Sequence, residues 1–304
     1  MKVGVIGSGY WGKKVISEYI KLKEENIIDE VLVFDKNLNS IPKSNNIVVK
    51  TSKDSIIKES DAIHICTPNS SHYEIAKAAI NLGKHVLIEK PMTLNQIESN
   101  ELVLLAKEKR LVLRVGHIFR FSNNINMLRS IISSGILGKI HYSLITWGHL
   151  FPSSSTSDAG VLWDILPHPL DILLFTTNEF PIVIEKLNSS KNTEMDNKFS
   201  MVRAIFKSGH ASFIFVSGIH PFKTRKIEIV GTNGSLSTEA LSNTIEFRSS
   251  KNSDENKIYN VEINNTILYE ISEFINDIKK SVEDSINSGI VGRDVVCLLE
   301  RVTD

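Results

Sequence analysis

The chain has 304 residues, of which 41% are hydrophobic and 23% are charged, so it can form two ordinary domains with their own cores. Its 35 basic and 35 acidic residues cancel, which argues against nucleic acid or an anionic membrane and favours a small-molecule partner. Two cysteines far apart in the sequence, Cys66 and Cys297, argue against a disulfide framework. We find no signal sequence and no apolar run near the ~20 residues of a membrane helix, so we expect a cytoplasmic protein.

The first part of the chain alternates short apolar strands with helices. The predicted strands are Lys2–Ile6, Val31–Phe34, Ile47–Val49, Ala62–Cys66, His85–Ile88 and Leu111–Val115. The predicted helices cover Tyr10–Lys23, Ser71–Leu82 and Thr93 to about Lys109. We expect the second and third helices to open with capping boxes, Ser71 with Glu74 and Thr93 with Gln96. This alternation is typical of a doubly wound parallel sheet of the α/β class.

The pattern changes after Gly116. A helix is predicted over Asn123–Ser133, and an alternating strand over Ile140–His149. Further strand candidates follow with few helices between them: Val183–Leu187, Met201–Lys207, Ala211–Ser217, Lys226–Val230, Thr244–Arg248 and Tyr259–Ile263. Asn233–Gly234 is a hairpin signal, and an apolar helix face runs from Ile267 to Val282. We therefore expect an α+β domain with a large, mostly antiparallel open sheet.

A glycine-rich turn follows the first strand and opens the first helix. Its G-x-G-x-x-G residues are Gly7, Ser8, Gly9, Tyr10, Trp11 and Gly12. The first glycine allows a tight turn, the second lets a pyrophosphate approach the backbone, and the third lets the helix pack on the strand. Asp35 is expected to accept hydrogen bonds from the adenosine ribose, which favours NAD, while Lys36 keeps NADP possible. We predict a Rossmann dinucleotide-binding domain over residues 1–118 and the α+β domain over residues 119–304.

Two further loops leave strands at the carboxyl edge of the predicted parallel sheet, where such sheets bind ligands. We expect these loops to line the cofactor with Cys66, Thr67, Pro68, Asn69, His72, Glu89 and Lys90. Lys90 can reach both the nicotinamide and a substrate, and partial burial would move its pKa toward values useful for acid–base catalysis. Glu89 can fix the position of its neighbour Lys90.

A second candidate centre is the segment Asp164-Ile165-Leu166-Pro167-His168-Pro169-Leu170-Asp171. Pro169 suits the first turn of a helix, so a helix is predicted to begin here with His168 at its start. An aspartate bonded to one ring nitrogen would fix the tautomer of His168 and leave the other nitrogen for proton transfer. Asp164 or Asp171 can take that role, and Asp171 can instead complement the helix dipole.

Four other residues are candidates for a substrate cleft. His117 and Arg120 follow the last predicted strand of the parallel sheet. Trp147 and Trp163 could each place an aromatic ring against a sugar face, although such residues more commonly belong to the core. The sequence has no H-E-x-x-H motif and no Cys/His cluster, so we expect no metal site.

These segments, in this order, resemble the glucose–fructose oxidoreductase, inositol dehydrogenase and rhizopine-catabolism (Gfo/Idh/MocA) family. The resemblance spans almost the whole chain through Val5–Gly12, Thr67–Asn69 with His72, Gly83–Pro91, Gly160–Asp164 with His168 and Asp171, and Ile229–Leu236. It implies Lys90, Asp164 and His168 as the catalytic set, in contact with substrate. It also implies a second domain that binds substrate, and homodimers or homotetramers assembled through the open sheet.

Within the family, Val115–Phe121 and Gly160–His168 are most similar to nucleotide-sugar members, which include the UDP-N-acetylglucosamine 3-dehydrogenases. The resemblance implies hydride transfer between NAD(P) and a hydroxyl or keto carbon of a sugar. Lys90 and His168 are expected to share the proton transfer, and either can accept the hydroxyl proton. The loop Phe151–Gly160 has no arginine or lysine for a diphosphate, which favours a free monosaccharide or polyol dehydrogenase as the alternative. A non-catalytic NAD-binding sensor is a further alternative, against which the intact catalytic set argues.

Overall fold

The computed structural model of the chain describes residues 1–150, 160–187, 198–282 and 286–303. The chain forms two compact units, Met1–Ile118 with Asn265–Val296, and Phe119–Asn264 with Cys297–Asp304. The segment Asn265–Val296 was expected in the second domain, but it belongs to the first unit. The reason is apolar packing, because Ile271, Phe274 and Ile275 are fully buried in the core of that unit.

The first unit contains a six-stranded parallel sheet. Its strands are β1 (Lys2–Ile6), β2 (Glu30–Phe34), β3 (Ile47–Val49), β4 (Ala62–Ile65), β5 (His85–Ile88) and β6 (Leu113–Val115). Their order in the sheet is β3-β2-β1-β4-β5-β6, and every neighbouring pair is parallel. The order reverses beside β1, as in dinucleotide-binding sheets, so the predicted doubly wound fold is confirmed.

Helices that follow these strands are α1 (Tyr10–Glu24), α2 (Lys53–Glu59), α3 (His72–Asn81) and α4 (Gln96–Glu108). Helix α2 was not expected from the sequence. Neither expected capping box forms. The Ser71 hydroxyl donates to the Pro68 carbonyl, and α4 is capped by Asn95, whose side chain accepts from the Glu98 N–H. The Thr93 hydroxyl donates to the Asn95 carbonyl instead. The hydroxyls of Ser71 and Thr93 therefore bond within the turns that precede the helices and do not cap them.

The second unit contains an eight-stranded sheet with helices α5 (Asn123–Ser133), α6 (Gly160–Asp164) and α7 (Pro167–Thr177). Its strands are β7 (Ile140–Leu150), β8 (Val183–Lys186), β9 (Phe199–Ile205), β10 (Ala211–Ser217), β11 (Ile219–Gly231), β12 (Gly234–Glu239), β13 (Thr244–Ser249) and β14 (Lys257–Asn260). The order is β14-β13-β12-β11-β7-β10-β9-β8, and β7 with β10 is the parallel pair in an otherwise antiparallel sheet. The mostly antiparallel prediction is confirmed.

Strand β11 is much longer than the five residues predicted for it. It pairs with β7 with a register shift between Ile219 and Thr224, so the apolar alternation is visible only beyond the irregularity. The hairpin between β11 and β12 forms as expected, but its two-residue loop is Thr232–Asn233. Gly234 begins β12 with a φ of 159°, and a Cβ there would lie 2.3 Å from the Arg248 carbonyl oxygen.

Two helices, α8 (Thr266–Lys280) and α9 (Gly289–Thr303), complete the chain. Helix α8 is tied to β6 by an ion pair between Arg114 Nε and Asp277 Oδ2 at 2.8 Å, with Arg114 fully buried. A further N–H of Arg114 donates to the Val282 carbonyl. Of the helices that the structure describes, none combines the length and apolar character of a membrane span.

Candidate active site

The glycine turn between β1 and α1 has a geometry that larger residues cannot reproduce. Gly7 has a φ of +102°, and a Cβ there would lie 2.4 Å from the Cys66 carbonyl oxygen. A Cβ on Gly12 would lie 2.1 Å from the Gly7 carbonyl oxygen. At Gly9, by contrast, no described heavy atom lies within 4 Å of the Cβ position. The turn is therefore closed at its two ends and open in the middle, which fits a pyrophosphate on the amino terminus of α1.

Asp35, just beyond β2, is held against this turn. Its carboxylate accepts hydrogen bonds from the N–H of Ser8 at 2.6 Å and the N–H of Asn37 at 2.8 Å. Burial opposes ionisation, but these bonds and the hydroxyls of Ser8 and Ser40 outweigh it, so the pKa of Asp35 is lowered. An ionised acceptor at this position fits the ribose of NAD and disfavours the extra phosphate of NADP. The neighbouring Lys36 is exposed.

Glu89, at the end of β5, joins three parts of the first unit. Its Oε1 accepts from the indole Nε1 of Trp11 and lies 3.3 Å from His64 Nε2 on β4. Its Oε2 lies so near Gly116 that a Cβ there would approach to 2.7 Å. These contacts fix the carboxylate and the backbone that leads into Lys90. The Lys90–Pro91 peptide bond is cis, and Lys90 is half-buried.

Cys66 and Glu89 were expected near the cofactor, but His64 was not, because the pairing of β4 with β5 brings it to Glu89. Ligand-type atoms of His64, Cys66 and Glu89 lie within 4.8 Å of one another, a geometry that could hold a metal ion. Since Glu89 already binds Trp11 and His64, hydrogen bonding accounts for the cluster, and we assign no metal to it. Burial, with Glu89 and Glu270 nearby, raises the pKa of the Cys66 thiol, so Cys66 is an uncharged packing residue.

His72 was expected to face the cofactor, and the structure gives it a different position. The side chain is fully buried, with Nδ1 2.9 Å from the Pro91 carbonyl oxygen and Nε2 2.9 Å from the Thr67 carbonyl oxygen. Burial lowers its pKa, and a neutral ring can donate only one of these two contacts. His72 therefore positions the loops after β4 and β5 rather than presenting an edge to ligand.

In the second unit, the predicted helix start is confirmed at Pro167. Asp164 is the last residue of α6 and His168 the second residue of α7, so the two lie on successive helices. The His168 ring stacks on Trp147 with centroids 6.0 Å apart, and it meets the edge of Phe119 at 5.3 Å. Asp164 and His168 are both half-buried.

Asp171, the alternative partner for His168, binds a cation. Its Oδ1 accepts from Arg120 Nε at 2.6 Å, and both side chains are buried. The Arg120 guanidinium also lies 4.9 Å from the Phe175 ring centre. Arg120 was expected to enter a substrate cleft, but burial of its charge requires the counter-charge of Asp171, which holds it inside the second unit.

The remaining candidates have varied surroundings. Trp147 is 1% exposed and packs in the core of the second unit, so it is not an open platform for a sugar ring. Trp163 is half-buried, and His117 is buried in the first unit. The loop whose composition distinguished the two substrate classes, Phe151–Gly160, falls almost wholly outside the described residues.

Comparison with known proteins gives consistent matches. Residues 1–117 match the oxidoreductase family with an NAD-binding Rossmann fold, and residues 125–237 match the GFO/IDH/MocA C-terminal domain. A UDP-N-acetylglucosamine 3-dehydrogenase of Acidithiobacillus ferrooxidans is 30% identical over 81% of this chain and 76% of its own length. The solved structure of UDP-N-acetylglucosamine 3-dehydrogenase GnnA from that bacterium has a TM-score of 0.84, with 25% identity over 99% of this chain and 96% of that chain.

More distant relatives share the same architecture. A myo-inositol 2-dehydrogenase of Thermotoga maritima is 23% identical over 94% of this chain and 91% of its own length. A levoglucosan dehydrogenase in complex with NADH and levoglucosan has a TM-score of 0.86 at 20% identity, covering 100% of this chain and 96% of that chain. At this identity, the similarity to the levoglucosan dehydrogenase shows a shared fold.

The glycine turn, the ionised Asp35 and the doubly wound sheet define an NAD-dependent oxidoreductase. The chain belongs to the Gfo/Idh/MocA family, as the matches to both of the family's domains and the relative that is 30% identical over 81% of the chain show.

Proposed function

We propose that the protein transfers a hydride between NAD and a hydroxyl or keto carbon of a sugar, with a nucleotide sugar as the substrate of first choice. The observation that carries the proposal is the relation to a UDP-N-acetylglucosamine 3-dehydrogenase over 81% of the chain. The candidate catalytic residues Lys90, Asp164 and His168 are all present in this sequence.

The cofactor would be held by the first unit. The open backbone at Gly9 and the amino terminus of α1 would bind the pyrophosphate, and Asp35 would accept from the adenosine ribose. The remaining candidate contacts are Gly7, Ser8, Tyr10, Trp11, Gly12, Lys36, Cys66, Thr67, Pro68, Asn69, Glu89 and Lys90. When bound, the nicotinamide supplies the acceptor or donor of the hydride.

The protein's own groups would move the proton. Oxidation of an alcohol requires a base for the hydroxyl proton, and reduction of the ketone requires the same group as an acid. We assign this work to Lys90 and His168 together, and to Asp164 the orientation of His168. Glu89, held by Trp11 and His64, would keep the backbone of Lys90 in place.

The proposal is tested by following NADH formation across UDP-sugars, free sugars and inositols. We expect turnover of UDP-N-acetylglucosamine or a close relative. Turnover of free sugars alone would instead support the second candidate, a monosaccharide or polyol dehydrogenase, which the absence of arginine and lysine in Phe151–Gly160 favours. Tight NADH binding with no turnover of sugars or of the corresponding ketosugars would contradict both, and would point to a sensor.

We further propose that the open sheet of the second unit binds a second copy of the chain. One face of the sheet is covered by helices, while the other, here called the outer face, carries exposed Tyr142, Leu144 and Met201. Large apolar side chains on one uncovered sheet face are typical of a protein interface. The two free cysteines suit a reducing compartment, so we propose a cytoplasmic location.

A further inference from the structure

Arg225 on β11 is half-buried against two aromatic rings. Its partner across the ladder is Trp147 on β7, so both side chains project from the same face of the sheet. The guanidinium carbon lies 5.5 Å from the Trp147 ring centre and 5.6 Å from that of Phe119. Burial lowers the pKa of Arg225, only partly opposed by Glu239, which indicates a cation that has lost much of its hydration.

In the part of the chain that the structure describes, the charge of Arg225 has no bonded counter-charge. Glu239 is the carboxylate that acts electrostatically on Arg225, but its Oε2 accepts from the backbone N–H of Arg225 at 2.7 Å and its Oε1 from the Thr224 hydroxyl. Among residues 1–150, 160–187, 198–282 and 286–303, the guanidinium has no hydrogen bond and no ion pair. This contrasts with Arg120 and Arg114, which are buried against Asp171 and Asp277.

The same two rings also surround His168. Its imidazole lies 6.0 Å from the Trp147 centroid and 5.3 Å from the Phe119 centroid, so Arg225 and His168 flank one aromatic pair. A group bound by Arg225 therefore contacts the same aromatic pair as the proposed proton-transfer residue His168. The aromatic pair also fixes the position of the guanidinium, since Arg stacks on ring faces.

We propose that Arg225 binds an anionic substituent, a phosphate or carboxylate group, of the sugar substrate. The inference rests on the proposed sugar oxidoreductase function and narrows it to charged sugars. A planar guanidinium whose N–H groups have no partner among the described residues matches the paired oxygens of either anion. The lack of arginine and lysine in Phe151–Gly160 therefore does not deprive the second unit of a cation for an anionic substrate.

The test measures equilibrium binding by calorimetry in the presence of NADH. The probes are UDP-N-acetylglucosamine, glucuronate and the neutral N-acetylglucosamine, so the first two arms separate a phosphate from a carboxylate. Wild type is compared with Arg225→Met, with Arg225→Lys and with the control Arg248→Met. Arg248 suits this comparison because it lies on β13 of the same sheet, is exposed and pairs with Glu246.

We expect wild type to bind one of the anions more tightly than the neutral sugar. Arg225→Met should lower the affinity for that anion by about 30- to 300-fold and leave the affinity for the neutral sugar unchanged. Arg225→Lys should retain part of the affinity, and Arg248→Met all of it. The NADH affinity and the thermal midpoint show whether each variant is folded. If Arg225→Met is unstable, the comparison of anion affinities is made with Arg225→Lys.

Equal anion affinity in wild type and Arg225→Met, or a wild-type preference for the neutral sugar, would overturn the inference. Because binding is measured without turnover, the experiment tests anion binding by Arg225 independently of the proposed enzymatic function. Arg225-dependent anion binding with no turnover would reject the enzymatic function alone. Turnover of neutral sugars that does not depend on Arg225 would reject the inference alone.

Discussion

Asp35 accepts a hydrogen bond from the Ser8 N–H of the glycine turn, and we propose that the same carboxylate accepts from the ribose of NAD. Replacing it with asparagine removes the charge that favours the ribose hydroxyls and repels a 2′-phosphate. We predict that Asp35→Asn weakens NADH binding by about 10- to 100-fold and raises NADPH affinity relative to NADH. Fluorescence titration with NADH and NADPH measures both affinities. The control is Asp29→Asn, since Asp29 precedes the first residue of β2 whereas Asp35 follows the last.

The lowered pKa of Asp35 adds a pH dependence to the same comparison. A folded pKa below the unfolded value of about 3.9 stabilises the folded state above that value, and this contribution is lost as pH falls through the folded pKa. The stability difference between wild type and Asp35→Asn should therefore be constant near neutral pH and shrink below about pH 4. A difference that grew on acidification would contradict the ionised state assigned to Asp35.

Gly9 and Gly12 separate ligand approach from packing within the same turn. Gly9 has a φ of −65° and open space at its Cβ position, so Gly9→Ala should leave the thermal midpoint unchanged. It should still weaken NADH binding by at least about tenfold, because the methyl group occupies the approach of the pyrophosphate. Gly12→Ala should destabilise the fold by about 1–3 kcal/mol through its contact with the Gly7 carbonyl. Unaltered NADH affinity in Gly9→Ala would argue against a pyrophosphate at this turn.

Single residues differ in how far the sequence predicts them. Gly7, Gly12 and Asp35 are fixed by local spacing after a strand, and their structural environments agree with the expected motif. The surroundings of His72 and Arg120 depend on carbonyls and a carboxylate that the tertiary fold brings to them. No local pattern reveals such partners, which is why both residues were expected to face ligand.

At the scale of elements, the Arg114–Asp277 pair connects β6 with α8 inside the first unit. Removing one member leaves the other charge buried, so Arg114→Met should destabilise the protein by about 3–5 kcal/mol in urea denaturation. The double variant Arg114→Met/Asp277→Leu should recover much of this loss, because both charges are then absent. Breaking the exposed Arg248–Glu246 pair should cost about 0–1 kcal/mol, and an equal cost at both pairs would contradict the argument.

Elements with uninterrupted apolar periodicity were predicted well, and those set by competing local contacts were not. Strand β10 and helix α5 have the predicted bounds. Helix α4 begins after the predicted start at Thr93, because the Asn95 side chain caps its first turn. The length of β11 reflects pairing with β7 across a register shift, a long-range property that alternation alone does not indicate.

At the scale of the whole molecule, the outer face of the eight-stranded sheet determines the proposed assembly. Leu144 lies near the middle of that face and is 41% exposed. We predict that wild type sediments as a dimer or tetramer and that Leu144→Asp dissociates it, because a buried unpaired charge opposes association. Ile97→Asp, at an exposed position of α4 in the first unit, should leave the assembly intact. A monomeric wild type in analytical ultracentrifugation would reject the proposed interface.

The class of each sheet could be predicted from the sequence, whereas the packing of the chain's end could not. Continuous apolar strands separated by helices define the first sheet, and alternating strands with hairpins define the second. Helix α8 has an ordinary amphipathic pattern, and nothing in that pattern indicates which core its apolar face joins. Its burial in the core of the first unit depends on tertiary packing, which the local sequence does not determine.

The most direct test of the account is the rate of NADH formation by Lys90→Met, with NADH affinity measured on the same sample. We predict that kcat falls by about 10²- to 10⁴-fold, the usual contribution of a positioned acid–base group, while NADH binding is unchanged. Lys58→Met, at an exposed lysine on α2 of the first unit, should retain kcat and serves as the matched control. Full turnover by Lys90→Met would contradict the assignment of Lys90 to proton transfer in this oxidoreductase.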